Sequence, residues 1–319
     1  MVLDRKVSEV KEIPTQAANK GIALGLTLAV LGAIAFSGKA IIVKLAYRYG
    51  VDAVTLLMYR MLFALPIFLL MAWWAGRGQP PLSSKDWLGV VGLGFSGYYL
   101  ASYLDFAGLA YISAALERLI LYLNPTLVVL FGWVVYQRGI TWGQFAAMLL
   151  SYCGVLLVFG HEVGAQGQNA IWGALLVLGS AVSYALYMVY SGEMVKRLGS
   201  LRLVGLASSV ACFFCIAQFL LTHPIAAMNV APQVLWLSLL NSTACTVAPV
   251  LMVMMAIERI GAGMAAQAGM IGPLSTILMG VWLLDEHLNA FMVAGTSLVM
   301  VGIFVFTRWA KKPGVSRNP

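Results

Sequence analysis

Charge is scarce in this chain: Asp, Glu, Lys and Arg make up 10% of its 319 residues, against 61% hydrophobic. Too few polar side chains remain to coat a soluble body of this size, which excludes an ordinary water-soluble domain. Histidine is rarer still, and His161, His223 and His287 all fall at span ends or in connections. The apolar body therefore lacks a histidine for a metal set or a nucleophile–base pair, which argues against a membrane-embedded enzyme. No P-loop sequence occurs, so ATP-driven pumping is not expected. Cys153, Cys212, Cys215 and Cys245 lie in apolar stretches. Cys212 and Cys215 have a metal-like spacing, but no second pair or nearby His completes a site, so neither metal nor cofactor is expected. The first twenty residues lack a short apolar core with a small-residue cleavage site, so no cleavable signal peptide is read there.

What the chain has in abundance is apolar length. Ten stretches, 22–46, 54–74, 87–107, 112–136, 141–159, 171–191, 201–222, 234–257, 264–283 and 289–307, are each long enough to cross a bilayer at about 1.5 Å rise per residue. The expected fold is an all-α polytopic membrane protein. Gly92, Gly94 and Gly97 spell a dinucleotide-binding fingerprint but sit inside a span with no preceding strand, so they read as close helix packing. Trp73, Trp74, Trp87 and Trp309 sit at span ends as interfacial anchors. With the N-terminus inside, fifteen Lys and Arg residues flank the spans on the inner side, and Lys44 and Arg48 alone flank them outside. The positive-inside rule then places both termini in the cytoplasm of a bacterial inner membrane. The net charge of +8 is explained by anionic lipid headgroups and calls for no nucleic acid.

The sequence also repeats itself. The run from Tyr111 to Phe159 lies on the run from Arg259 to Phe306 without a gap, at the offset of 148 that separates Pro125 from Pro273. Gly132 then meets Gly280, and Gly154 meets Gly302. Upstream, Val30-Leu31-Gly32 meets Val177-Leu178-Gly179 at an offset of 147. Two halves of five spans each follow, and an odd number of crossings inserts the second half upside down, as in secondary transporters with inverted repeats. Pro125 and Pro273 occupy equivalent interior positions, where each would kink or break its helix and either expose carbonyls to a cavity or be a tolerated bend.

At Lys44-Leu45-Ala46, Arg60, Leu123-Asn124-Pro125, Gly272-Pro273-Leu274 and Asp285-Glu286 the chain resembles the drug/metabolite transporter superfamily, in its ten-helix EamA group. The resemblance spans nearly the whole chain. It implies a 5+5 inverted repeat, a central cavity, and export, or less often import, of small metabolites such as amino acids. The domain reading is a cytoplasmic segment 1–20, EamA-like repeats at 21–160 and 171–307, and a cytoplasmic tail 308–319. One departure is that the acidic residue family members often carry at the end of span four is here Gln137-Arg138.

Five charged residues inside spans are candidates for a buried site: Lys39, Arg60, Asp105, Glu117 and Arg118. Such residues are costly in a bilayer and mark functional sites by default. All five map to one layer toward the outer face, and Leu186, Val253, Ala265 and Ala266 stand at the repeat equivalents of Lys39, Asp105, Glu117 and Arg118. Three cations against two anions attract a counter-charge. Lys39 or Arg60 is therefore expected to receive a substrate carboxylate, and Glu117 to hold an ammonium group or a coupling proton. The alternative is an ion-pair network that closes a gate or stabilises the fold, with Arg118 free to snorkel outward. Glu117, Leu121, Asn124 and Val128 share one face of span four, and Tyr98, Ser102 and Asp105 one face of span three. Tyr184, Tyr187, Asn241, Thr246, Gln267 and Ser275 offer uncharged polar atoms from the second half. The partners expected are a small-molecule substrate, a proton as candidate coupling ion, and membrane lipid; monomer and homodimer both stay open. A sensor or a lipid scramblase is the other reading, distinguished from a carrier by flux in vesicles.

Overall fold

The computed structural model describes residues 15–137 and 140–309. Most of the two expected terminal segments, Arg138, and the side chains of Gln267 and Trp309 lie outside the described residues. Among the described residues all regular structure is helical. α1 (Thr15–Tyr47) and α2 (Ala53–Gly76) are followed by α3 (Ser84–Leu93), which runs through a π-helical turn, Gly94–Leu100, into α4 (Ala101–Leu109). α5 (Ala114–Leu121) and α6 (Asn124–Tyr136) are the halves of a broken helix, and α7 (Trp142–Gln166), α8 (Gln168–Leu198) and α9 (Ser200–Thr222) come next. α10 (Pro232–Ser242) passes through a second π turn, Thr243–Val247, into α11 (Ala248–Ala268). A 3₁₀ turn, Gly269–Ile271, then leads to α12 (Gly272–Leu284), followed by α13 (Ala290–Trp309).

Local chemistry sets several boundaries. The Asp52 carboxylate accepts from the amides of Val54 and Thr55 and so starts α2, while Ser83 with Asp86, and Thr141 with Gln144, form capping boxes for α3 and α7. Pro125 and Pro273 each sit in the first turn after a break, where a missing N–H costs nothing. α6 and α12 both end on a left-handed residue, Gln137 at φ 50° and Asp285 at φ 60°. The π turns, the breaks and these caps each recur at an offset close to that of the sequence repeat.

Packing recurs in the same way. α7 packs on α13, α2 on α9, α1 on α11 and α4 on α8. A Cβ at Gly154 would lie 2.6 Å from the Gly295 carbonyl oxygen, and one at Gly302 would lie 2.9 Å from that of Ala147. Likewise a Cβ at Gly32 would lie 3.3 Å from Met252, and one at Gly179 would lie 3.3 Å from Leu104. These are reciprocal contacts between equivalent positions, possible only where one helix shows bare backbone to the next. Of the fingerprint glycines, Gly94 and Gly97 abut Ala207 and Tyr187, whereas Gly92 meets nothing within 4 Å. The largest buried cluster joins α1, α2, α4 and α9 through Ile41, Leu56, Phe68, Phe106 and Cys215. Outward faces stay apolar: Leu70, Leu149, Trp172, Leu221 and Trp282 are exposed, as suits a surface solvated by lipid.

Seven helical stretches among the described residues are long and apolar enough to cross a membrane: 21–47, 53–76, 114–135, 142–164, 168–192, 200–222 and 232–253. Residues 269–284 and 290–306 form shorter apolar helices. The stretch expected at 87–107 is absent from both sets, because four glycines and three tyrosines dilute its apolar character. One expectation needs correction: the turn expected between spans eight and nine is not made, and α11 runs helically through 258–263. In the first half Ser113 caps a new helix at the equivalent place, but its counterpart is Gly261, which has no side chain to accept an amide proton.

The glycine contacts are testable by thermal unfolding in detergent. Gly154→Ala should cost about 1–3 kcal/mol, because its methyl group meets backbone that cannot yield. Gly92→Ala, facing open space, should leave the melting temperature unchanged or raise it.

Candidate functional site

Three helices bring the buried charges together. Lys39 on α1 donates from Nζ to Asp105 Oδ2 on α4 at 2.5 Å, and lies 3.4 Å from Glu117 Oε1 on α5. The side chains of Asp105 and Glu117 are 2% and 0% exposed, and that of Lys39 is 14% exposed. One ammonium group is thus shared by two carboxylates that solvent barely reaches. The two arginines are held differently. Arg60 donates from Nε to Thr246 Oγ1 at 3.0 Å and stacks its guanidinium over the Phe106 ring, 5.1 Å from the centroid. Arg118 donates from Nε to Thr276 Oγ1 at 3.1 Å and from Nη2 to the Phe36 carbonyl at 2.7 Å. Among the described residues neither arginine has a carboxylate within ion-pair distance, so the excess positive charge resides on the guanidinium groups.

These residues border a cavity of about 320 Å³. Lys39, Arg60, Tyr98, Ser102, Asp105, Arg118, Asn124 and Tyr184 all line it, with Phe36, Tyr122, Ser180 and Thr246. Glu117 stands behind Lys39 and does not reach the wall. Of the expected face of Glu117, Leu121, Asn124 and Val128, only Leu121 and Asn124, on either side of the break, reach the wall. Tyr98, Ser102 and Asp105 keep a common face. The Tyr98 and Tyr187 hydroxyls are 3.1 Å apart, and Tyr184 stacks on Tyr187 with centroids separated by 5.5 Å. Asn241 is buried away from the cavity, and Ser275 bonds back to the Ile271 carbonyl. Thr276 takes the arginine instead, a partner the sequence reading passed over; Thr and Ser adjacent on a helix give no signal as to which faces inward.

The two helix breaks meet at the cavity. Tyr122, at the first break, donates its hydroxyl to the Gly269 carbonyl of the second at 2.9 Å, and Ser37 on α1 donates to the Gly272 carbonyl at 2.8 Å. Carbonyls at the second break are thus also bonded by side chains of the first half. Gly272 leaves no room for a side chain, since a Cβ there would run into the Tyr122 hydroxyl. Several buried polar atoms on the wall nevertheless have no protein partner, namely Arg60 Nη1, Asp105 Oδ1 and Asn124 Oδ1. Donors and acceptors of both signs are available to a solute.

Removing Lys39 should expose what it compensates. Lys39→Met leaves Asp105 and Glu117 facing one another without a cation, and should destabilise the fold by about 3–5 kcal/mol in thermal unfolding. Adding Asp105→Asn and Glu117→Gln to that variant should restore most of the loss. Arg60→Met, whose partners are a hydroxyl and a ring, should cost less.

Comparison with known proteins gives this cavity a setting. The EamA-like transporter family matches residues 23–160 and again 171–308. A Bacillus subtilis (strain 168) protein named as the uncharacterized transporter YcbK is 31% identical over 288 residues, covering 88% of this chain and 91% of the relative. An uncharacterized transporter of Archaeoglobus fulgidus is 23% identical over 88% of this chain and 96% of its own. One solved crystal structure, 18% identical, superposes with a TM-score of 0.60 over 92% of this chain and 99% of that one, a likeness of fold alone. With the family matched twice along its length, the chain belongs to the EamA-like transporter family and is a multi-pass membrane transporter, not an enzyme.

Proposed function

We propose that the protein is a secondary transporter that carries a small polar metabolite bearing a carboxylate, such as an amino acid, through the cavity between the two helix breaks. Its halves, 21–160 and 171–307, are read as a 5+5 inverted repeat of ten crossings that alternates access to the two faces of a bacterial inner membrane, with both termini cytoplasmic. The reciprocal glycine contacts support that reading, because equivalent helices can then exchange roles as one face closes and the other opens. The resemblance to exporters favours outward flux.

The observation that carries the proposal is the set of buried, unpartnered polar atoms of both signs around one cavity. Such atoms are held in a folded protein at a cost unless something bonds them. Arg60 Nη1 is the donor left for a substrate carboxylate, since Lys39 is already shared between two acidic groups. Asp105 Oδ1 and Asn124 Oδ1 are left to accept from an ammonium group. Lys39, Asp105 and Glu117 together form a group in which one added proton on a carboxyl would change the partners of the ammonium, and this is the proposed route for proton coupling.

Flux in proteoliposomes loaded with a mixture of radiolabelled neutral amino acids tests this. Counterflow should be present in the native protein and fall at least tenfold in Arg60→Met, and Glu117→Gln should abolish its dependence on an imposed pH gradient. Full gradient dependence in Glu117→Gln would remove Glu117 as the coupling group, and native vesicles no faster than empty ones for any carboxylate would remove the substrate class.

A further inference from the structure

Beyond the cavity, one end of the bundle carries a second set of charges that the solute site does not use. They converge on three residues at the start of α5, Ile112, Ser113 and Ala114. Lys44, in the last turn of α1, donates from Nζ to the Ile112 carbonyl at 2.6 Å. Glu162, near the end of α7, accepts the Ser113 amide at 3.2 Å and also the Ser113 hydroxyl. Glu286, just beyond α12, accepts the Ala114 amide through Oε1 at 3.0 Å. Two carboxylates from opposite halves of the chain thus cap one helix start, where unsatisfied N–H groups and the helix dipole favour negative charge. Space for Glu286 is provided by Gly280, where a Cβ would lie 2.8 Å from Glu286 Oε2.

The helix so gripped is short and ends at a break. α5 has 8 residues, ends at the break before Leu123, and carries both Glu117 and Arg118. Whatever moves its first turn must therefore move the partner of Lys39 and the partner of Thr276. Resting on the reading of the chain as a carrier, we infer that α5 is the moving arm of one gate and that Glu162 and Glu286 are the clamp that holds it shut. Opening that face releases the backbone at 113–114, and the same swing draws Glu117 from Lys39 and Arg118 from Thr276, so the gate and the solute site change together.

The clamp belongs to one face alone. At the repeat offsets, Ser191 stands for Lys44, Gly261 for Ser113, Ala310 for Glu162 and Arg138 for Glu286, so the sequence places no carboxylate at the positions equivalent to the two clamp residues. The opposite face closes by other contacts, and the two conformers are not equivalent in energy.

The test needs no substrate. In full-length protein with Cys153, Cys212, Cys215 and Cys245 replaced, Ser102→Cys places a reporter thiol on the cavity wall, and a membrane-impermeant maleimide is applied to vesicles of either orientation. Glu162→Gln combined with Glu286→Gln should raise the labelling rate from the clamp face at least tenfold and lower it from the opposite face. Gly280→Ala, which displaces Glu286 without changing charge, should shift the rates in the same directions. Rates that stay unchanged, or rise equally from both faces as in a loosened fold, overturn the clamp and leave the carrier reading standing. Labelling from neither face in any variant overturns the carrier reading and the clamp with it.

Discussion

The ammonium of Lys39 lies between two carboxylates that are almost sealed from solvent, and most of the molecule is arranged around that arrangement. Removing charges from water costs several kcal/mol each, and in the bilayer interior only mutual pairing and nearby dipoles offset it. Lys39 comes from α1, Asp105 from α4 and Glu117 from α5, so satisfying the three charges fixes three helices at one point. With both acidic groups consumed by the lysine, the arginines fall back on hydroxyls, a carbonyl and an aromatic ring. Their uncompensated charge is what the proposed preference for an anion rests on.

The backbone supplies the other half of the site. Backbone irregularity in an apolar medium is tolerated where the protein bonds it, and here the Gly269 and Gly272 carbonyls of the second break accept from Tyr122 and Ser37 of the first half. Tyr122 ties the first break to the second, so a change at either is transmitted to the other. The π turns lie at equivalent places upstream, and the second lets Thr246 bond to the Asn241 carbonyl five residues back while still meeting Arg60. Regular helices could not present these groups together.

Much of this was legible in the sequence because its signals are strong and local. Apolar runs mark the membrane class, the offset between Pro125 and Pro273 marks duplication and helix breaks, and lone charges in apolar runs mark the residues gathered at Lys39. The misses share a physical cause: they depend on backbone phase or on partners distant in sequence. A π turn has no composition of its own, and a spacing rule that groups Glu117 with Leu121 on one face does not foresee that Lys39 stands between Glu117 and the cavity. Uninterrupted helix through 258–263 reflects the lack of a capping side chain, a weak signal beside the symmetry of the repeat. Lys44 and Glu286 stand in the sequence only as parts of short motifs and Glu162 carries no signal there, and only the fold brings the three onto a single helix start.

The central claim is that the cavity at the helix breaks binds a carboxylate through Arg60. A thermal-unfolding screen of the purified protein against amino acids, amines, organic acids and nucleobases tests it most directly. A ligand at a hundred times its dissociation constant stabilises by about 2.7 kcal/mol, well within the range of a melt. The account predicts a rise in melting temperature with carboxylate-bearing compounds that disappears in Arg60→Met and survives in Trp172→Phe on the lipid-facing surface. A rise produced by amines alone, or one that persists undiminished in Arg60→Met, would contradict it.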